Sequence, residues 1–159
     1  MFRTMRRQKQ QVSDEECRRI LKEEKRAAFS VIGDGGYPYT IPINFYYEEA
    51  EHKIYFHGAK EGHKFDAMQR CDRVCLTTWD QGFLKEGHWE WNVTSVVVFG
   101  KVRLVTDPLV AEDRLRKLAE KYYPTAEEVE AGMTGPSAQR VQMFAIEIEH
   151  MTGKLVNEK

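Results

Sequence analysis

Apolar and polar positions near the N-terminus repeat with the period of a helix. Cys17, Ile20 and Leu21 recur at helical spacing, while the residues between them are charged. Ser13 followed three residues later by Glu16 is a capping-box pattern, which is typical of a helix start. The pattern predicts an amphipathic first helix that runs to about residue 26.

The segments that follow alternate like strands. Residues 27–32 are a short apolar run that ends in Gly-Asp-Gly-Gly, a typical hairpin turn. Two further runs, at 39–47 and 53–57, are separated by a polar turn at 48–50. Three strands joined by short turns indicate an antiparallel meander.

The rest of the chain predicts three more strands and two more helices. The strands lie at 74–79, 89–105 and 141–149, and Gly100 suggests a bend or bulge in the second of them. A short helix is expected over 61–70. A longer one begins at Asp107-Pro108 and stops before Pro124, with Leu109, Leu115, Leu118 and Ala119 as its apolar stripe; residues 125–139 read as a helical turn and a loop.

In the last strand, Phe144, Ile146 and Ile148 form an apolar face, so the opposite face is expected to meet solvent or a partner. About six strands without a strand-helix-strand rhythm predict a mainly β (α+β) fold. We expect a six-stranded antiparallel barrel with peripheral helices, formed by one domain over residues 1–159.

Composition narrows the classes of function. The formal net charge is -1, from 24 basic and 25 acidic residues, so the chain lacks the positive excess that binds nucleic acid. The longest apolar run, residues 96–99, is far shorter than the ~20 residues that span a bilayer, and no export signal precedes it. We therefore expect a cytoplasmic protein with no nucleic-acid or membrane partner.

The three cysteines indicate reduced thiols rather than a disulfide framework, because their number is odd and no export signal is present. Cys71 and Cys75 are four residues apart. This spacing alone is weak evidence for zinc, which would need two further ligands. No metal site is expected.

Residues 55–68 carry the candidate chemistry. A strand passes through Gly58 and Ala59 into a helix that begins near Gly62, which leaves backbone N–H groups free to meet an oxyanion. Three basic side chains surround this helix start: Lys60, His63 and Lys64. They could neutralise one phosphate group, which carries about -1.5 to -2 charges. A solvated charged turn is the simpler alternative, and an ordinary hydrogen-bonded role is the simpler one for His57.

Three segments together resemble a known family. They are Y-P-Y-x-I-P-x-N at 37–44, Y-F-H-G-A-x-x-G-x-K at 55–64, and S-V-V-V-F-G-K at 95–101. Their order and spacing resemble the flavin-binding split-barrel family related to pyridoxamine 5'-phosphate oxidase, and within it most of all the nitroimidazole-resistance (Nim) group. The likeness extends from residues 5–7 to residues 148–154.

The resemblance implies a split barrel that binds FMN in a homodimer, with the flavin ring near the subunit interface. Lys64 matches the family's phosphate-binding lysine, with His63 and Lys60 as its neighbours. The other residues that the resemblance places at the cofactor are Thr40, Ile41, Pro42, Asn44, His57, Ala59, Thr77, Thr78, Ser95 and Val96. Barrel core is the simpler interpretation of the Ile and Val positions. Trp89 and Trp91 alternate on one strand and could stack on flavin or pack in an interface or the core.

The function implied is an FMN-dependent oxidoreductase. It would pass electrons from a reduced nicotinamide or other donor to a small, flat, electron-poor acceptor such as a nitroaromatic. Oxidation of pyridoxamine phosphate is not expected, because no arginine-rich motif stands near the C-terminus. A non-catalytic flavin- or haem-binding module remains an alternative, with His57, His63 or His88 as the axial ligand of a haem. A structural dimer without cofactor also remains open.

Overall fold

The computed structural model describes residues 1–158, which form eight strands and four α-helices. The strands are β1 Arg26–Ile32, β2 Pro38–Asn44, β3 Tyr46–Glu48, β4 Lys53–Gly58, β5 Arg73–Trp79, β6 Phe83–Leu84, β7 Trp91–Leu104 and β8 Gln142–Glu158. The helices are α1 Asp14–Glu23, α2 His63–Arg70, α3 Pro108–Tyr122 and α4 Ala126–Thr134.

All strands belong to one antiparallel sheet in the order β2-β1-β5-β7-β8-β4-β3, and β6 adds to β7. The two ends of this order, β2 and β3, are consecutive in the chain and separated only by Phe45. The sheet must therefore curl until its two edges meet near that residue. The expected mainly β fold with a split barrel and peripheral helices is confirmed.

The number and order of the first strands differ from the prediction. The expected strand over 39–47 is two strands broken at Phe45, and the two-residue β6 was not predicted, so eight strands replace six. The antiparallel pairings of the expected meander are present, but its middle strand is interrupted, because β2 pairs with β1 whereas β3 pairs with β4. Phe45 is fully buried, and its backbone bonds to side chains of α3 instead of to a strand.

The long strands β7 and β8 form the middle of the barrel wall. They pair from Trp91 to Leu104, with a bulge between Phe99 and Gly100 that agrees with the predicted irregularity. A Cβ added at Gly100 would lie 2.4 Å from the Glu147 carbonyl oxygen, so only glycine fits this crossing. β8 continues to residue 158, nine positions beyond the predicted end at residue 149.

The second face of β8 is covered in part by the chain itself. Met143 and Ala145 are buried and pack with Ala111 and Leu115 of α3. The expectation that this face meets solvent or a partner is therefore wrong for these two residues, whereas Glu147 and Glu149 farther along the same face are exposed. The sequence predicted α3 but gave no sign of the strand on which it would pack.

The main core fills the barrel around three aromatic rings. Phe56 lies 4.9 Å from Phe29 and 5.1 Å from Phe144 between ring centroids. Such close ring pairs add to the stability that burial of apolar surface provides. The predicted inner face of the last strand is confirmed here, since Phe144 and Ile146 are buried and Ile148 packs against them.

Two helices begin at the caps that the sequence predicted. The Ser13 hydroxyl accepts a bond from the Glu16 backbone N–H at 3.2 Å, and α1 buries its expected apolar face. Asp107 accepts a bond from the Leu109 backbone N–H at 2.9 Å at the start of α3. Leu109 itself is 78% exposed, so its predicted place in the apolar stripe is wrong. Residues 126–134, expected to be one turn, form the complete helix α4.

Three further observations concern the described residues as a set. Cys17, Cys71 and Cys75 are free thiols. No cluster of histidine, cysteine and acidic side chains among residues 1–158 is arranged to hold a metal ion. None of the helices in this range is long and apolar enough to cross a membrane.

Candidate functional site

The outer face of the β1–β2 hairpin presents polar and small side chains. Thr40, Pro42 and Asn44 alternate with residues that pack toward the core, and all three are exposed. Arg26 stands opposite Asn44 in the register, and Ala28 stands opposite Pro42. The alternation of a half-buried strand thus places one row of possible ligand contacts on the barrel wall.

An open depression of about 490 Å³ lies along this row, and we call it the sheet groove. Its lining includes Glu24, Arg26, Thr40, Pro42, Trp79 and Gln81. The Thr40 hydroxyl hydrogen-bonds with the Ser30 hydroxyl at 2.8 Å, and Ile41 lines the groove while it packs on the core.

One end of the sheet groove continues into a second depression of about 300 Å³, which we call the basic corner. The corner lies where β1, β2, β4 and α2 meet. It is lined by Arg26, Pro42, Ile43, Asn44, His57 and Lys64. Arg26 and Pro42 line both depressions, so the two form one continuous surface.

The position of Lys64 follows from the small residues before it. Gly62 adopts a φ of 104°, a left-handed conformation that glycine tolerates, and α2 begins at the next residue. The Lys64 side chain then folds back toward the end of β4. A Cβ added at Gly58 would lie only 3.1 Å from Lys64 Nζ. Glycine at that position therefore leaves room for the ammonium group.

The charges in the basic corner are not balanced by the chain. Neither Arg26 nor Lys64 forms an ion pair with any residue in the described part of the chain, and none of the described lining residues is acidic. Burial lowers the pKa of Lys64. Burial, and then the charge of Lys64, lower the pKa of His57. An anion bound in the corner would offset the cost of burying the Lys64 ammonium group.

His63 lies apart from this corner. Its Nε2 accepts a bond from the Asp34 backbone N–H at 3.1 Å, and its ring stacks on Tyr39 at 4.2 Å between centroids. The same nitrogen lies 3.7 Å from the Asp34 carboxylate. The residue therefore supports the β1–β2 turn. It was predicted as a phosphate neighbour, and the structure places it outside the lining of the corner.

The other predicted residues divide into three groups. Thr77 and Ser95 stand next to the sheet groove, opposite Ala28 and Trp79 in the register. Ala59 and Lys60 are exposed in the loop before α2, and Lys60 lines a different depression beside α3.

Thr78 and Val96 are fully buried in the barrel. The Thr78 hydroxyl donates to the Arg26 carbonyl oxygen at 2.8 Å. Their side chains face away from the groove, so these two residues could meet a ligand only through backbone atoms.

The prediction missed Arg26, which was taken as the end of the first helix. α1 instead ends at Glu23, and Arg26 opens β1. The sequence contains the pattern that could have identified Arg26, because the apolar residues Ala27, Phe29 and Val31 alternate, and these are the buried positions of β1. Extending that alternation backward places Arg26 on the outer face of the sheet.

Asn44 and His57 also line another cavity. This helix cleft, of about 360 Å³, lies between α3, α4 and the start of β8. Its lining includes Leu115, Tyr122, Tyr123, Met133 and Val141. None of the described residues that line it is charged. The cleft thus offers an apolar space directly beside the basic corner.

Comparison with known proteins decides the family. Residues 13–155 match the family model described as pyridoxamine 5'-phosphate oxidase. The chain belongs to this family. The match includes the sheet groove, the basic corner and the helix cleft. No curated protein matches the sequence.

Solved structures with the same fold have low sequence identity to this member of the pyridoxamine 5'-phosphate oxidase family. A candidate 5-nitroimidazole antibiotic resistance protein from Bacteroides thetaiotaomicron superposes with a TM-score of 0.78 at 22% identity, over 93% of this chain and 87% of that one. A FAD-binding protein from Mesorhizobium loti superposes with a TM-score of 0.64 at 22% identity, over 92% of this chain and 96% of that one. The flavocytochrome Anf3 from Azotobacter vinelandii superposes with a TM-score of 0.71 at 20% identity, over 96% of this chain and 72% of that one. At this identity the likeness establishes the fold alone.

Proposed function

We propose that the basic corner and the sheet groove together bind FMN. The phosphate would lie in the corner between Lys64 and Arg26, and the flavin ring would extend along the groove. The observation that carries this proposal is the pair of cations without acidic partners at a strand-to-helix corner. A phosphate monoester carries about -1.5 to -2 charges at neutral pH, which this pair can balance.

The residues present fit such a cofactor. A flavin ring needs a flat apolar surface and a few polar groups at its edge. Pro42 and Trp79 offer apolar surface in the sheet groove, and Thr40 and Gln81 offer polar groups. Asn44 and His57 can contact the part of the molecule nearest the phosphate. When bound, the flavin would supply the electron-transfer chemistry, while the chain would hold and orient it.

We further propose that the protein is an oxidoreductase whose electron acceptor lies over the flavin ring in the sheet groove. The apolar surface that Pro42 and Trp79 present there favours a small, flat, electron-poor acceptor such as a nitroaromatic. A reduced nicotinamide is the expected electron donor, and a cytoplasmic location remains a prediction.

A homodimer is part of the proposal because large apolar side chains are exposed on the outer sheet face. Ile32, Trp79 and Phe99 are each at least 40% exposed, and Phe83 and Leu84 in β6 are 47% exposed. Exposed apolar patches commonly mark protein-protein contacts.

The two tryptophans are consistent with such a contact and do not pack in the core. Trp91 is 45% exposed at the start of β7. Trp89 is 75% exposed in the turn before this strand, so the prediction that both residues lie on one strand is wrong for Trp89.

A non-catalytic flavin or haem module is the second candidate, favoured by the structural likeness to a flavocytochrome. Of the three possible axial ligands, His63 already accepts a bond from Asp34, and His88 lies in an exposed loop 3.8 Å from Glu90. His57 opens into the basic corner and the helix cleft, so a haem would use this residue. A Soret band in the purified protein would favour this function over the first.

The experiment that tests the proposal compares FMN, FAD and riboflavin by quenching of flavin fluorescence. Riboflavin has the same ring as FMN and lacks the phosphate. We expect FMN to bind at least about tenfold more tightly than riboflavin, because hydrogen bonds to charged groups contribute about 1.5–3 kcal/mol. Equal affinity for FMN and riboflavin would contradict the phosphate site. Oxidation of reduced nicotinamide with a nitroaromatic acceptor then tests the enzyme assignment.

A further inference from the structure

The last turn of α3 inserts two side chains between the end of α1 and the break between β2 and β3. Lys121 Nζ donates to the carbonyl oxygens of Glu24 at 2.6 Å and Phe45 at 3.1 Å. The ammonium group also lies 3.9 Å from the centroid of the Phe45 ring. The Tyr122 hydroxyl accepts a bond from the Phe45 backbone N–H at 2.9 Å and donates to the Lys25 carbonyl oxygen. We call Lys121 and Tyr122 the clasp.

The clasp binds backbone on both sides of the basic corner. Lys25 immediately precedes Arg26, and Phe45 immediately follows Asn44. The β1–β2 register ends at the pair of Arg26 and Asn44. Beyond that pair no described strand holds the Phe45 backbone, and the clasp supplies its hydrogen bonds instead.

We infer that Lys121 and Tyr122 are positioning residues for the cofactor site. By holding the Lys25 and Phe45 backbones, they fix the ends of β1 and β2 that carry Arg26 and Asn44 before a ligand arrives. A ligand then binds without the cost of ordering this backbone. The inference rests on the proposed function for the identity of the ligand, FMN.

The clasp also connects the corner to the helix cleft. Tyr122 lines the cleft, where its neighbours are Leu118 and Ala119 of the same helix. The side chain that holds the backbone beside the phosphate corner thus also belongs to the wall of the helix cleft. A change in the position of α3 would therefore alter both sites together.

The chain offers a matched control one helical turn earlier. Lys117 lies on the same helix and donates to the Glu48 carboxylate at 3.1 Å, a side chain at the end of β3. Its contacts join α3 to the sheet without reaching Arg26 or Asn44. Substitution of Lys117 tests what loss of a helix-to-sheet contact does by itself.

The experiment measures FMN and riboflavin affinities and the apoprotein melting temperature for four proteins. These are the wild type, Tyr122→Phe, Lys121→Met and Lys117→Met. We expect both clasp variants to lower the ratio of FMN to riboflavin affinity by about tenfold, because a displaced Arg26 weakens its contact with the phosphate that riboflavin lacks. Lys117→Met is expected to lower the melting temperature and keep the wild-type ratio of FMN to riboflavin affinity.

The outcomes separate the two claims. A wild type without preference for FMN over riboflavin would overturn the proposed function and this inference with it. A wild type with the preference, together with a Tyr122→Phe variant that retains it, would overturn the clasp alone. An equal loss in Lys117→Met would also overturn it. Tyr122→Phe keeps the aromatic ring and leaves the Lys121 ammonium group in place. It therefore serves as the test if Lys121→Met does not fold. Recovery of the preference in Lys121→Arg would support the positioning role.

Discussion

The basic corner and a cluster of ion pairs on α3 both contain cationic side chains, and they differ in whether those cations pair with acidic residues of the chain. In the cluster, Arg114 pairs with Glu51 and Asp113, and Lys117 pairs with Glu48 at 3.1 Å. Although burial opposes ionisation, hydrogen bonds from Lys117 and Tyr46 lower the pKa of Glu48. Each charge therefore has a partner within the chain, and the cluster joins α3 to β3 and β4.

In the basic corner the cations have no such partners among residues 1–158. Burial lowers the pKa of Lys64, whereas the hydrogen bond to Glu48 raises the pKa of Lys117. The same residue type is thus held by the chain at one place and left for an external anion at the other. Charges that are paired internally support the fold, and charges that are unpaired and partly buried indicate a ligand.

The largest expected effect is that of Lys64→Ala on FMN affinity. Loss of the ammonium group removes a charge-assisted bond to the phosphate, so affinity should fall about 30- to 100-fold, or about 2–3 kcal/mol. Fluorescence quenching measures the change. Lys117→Ala is the matched control and should leave affinity unaltered. A Lys64→Ala protein with wild-type affinity for FMN would contradict the assignment of the corner.

The second effect concerns the glycine beneath Lys64. Gly58→Ala places a Cβ 3.1 Å from the wild-type position of Lys64 Nζ, so the ammonium group must move. We expect FMN affinity to fall by about three- to tenfold, because the charged bond is weakened rather than lost. The measurement is made in the Lys64→Ala background as well. An equally large loss there would show that Gly58 acts independently of the lysine.

Removal of a paired charge should instead reduce stability. Arg114→Met removes one of the partners of Glu51, which keeps Lys53 and the Tyr55 hydroxyl, and we expect a melting temperature about 2–4 °C lower, equivalent to about 1 kcal/mol. FMN affinity should not change, because Arg114 contacts β3, β4 and the Tyr55 ring rather than the corner. Thermal unfolding of the apoprotein and FMN titration provide both values. A loss of FMN affinity without a loss of thermal stability would show that Arg114 serves the FMN site rather than the fold, contrary to this account.

The smallest effect is a pH dependence from His57. Its pKa is lowered from the ordinary value of 6.5 by burial and by Lys64. The unfolded chain therefore takes up a proton more readily than the folded chain, and stability falls as pH drops below about 6.5. Apoprotein melting between pH 5 and 7.5 should show a steeper acid loss for wild type than for His57→Gln. Saturating FMN should reduce the difference between the two proteins. Identical pH profiles for wild type and His57→Gln apoprotein would show that the pKa of His57 is not lowered in the folded chain.

Local pattern was sufficient for much of the fold. The capping box of α1, the Asp107 cap and the Gly-rich β1–β2 turn each depend on residues close together in sequence. Lys64 could be placed near a strand end for the same reason, since only the short loop 59–62 separates β4 from α2.

What the sequence could not predict depended on distant contacts. The break at Phe45 is held by Tyr122, which is 77 residues away, and nothing in the alternation over 39–47 marks it. Strand alternation places Thr77 and Thr78 on opposite faces, but two adjacent threonines do not indicate which one faces the core. The structure resolves this, because Thr78 is fully buried and Thr77 stands beside the groove.

The measurement that most directly tests the central claim is a crystal structure of the protein with FMN. The phosphate oxygens should lie within hydrogen-bonding distance of Lys64 Nζ and the Arg26 guanidinium group, with the ring along the sheet groove. A complex in which FMN is ordered elsewhere on the protein, while solvent alone occupies the space between Lys64 and Arg26, would contradict the account.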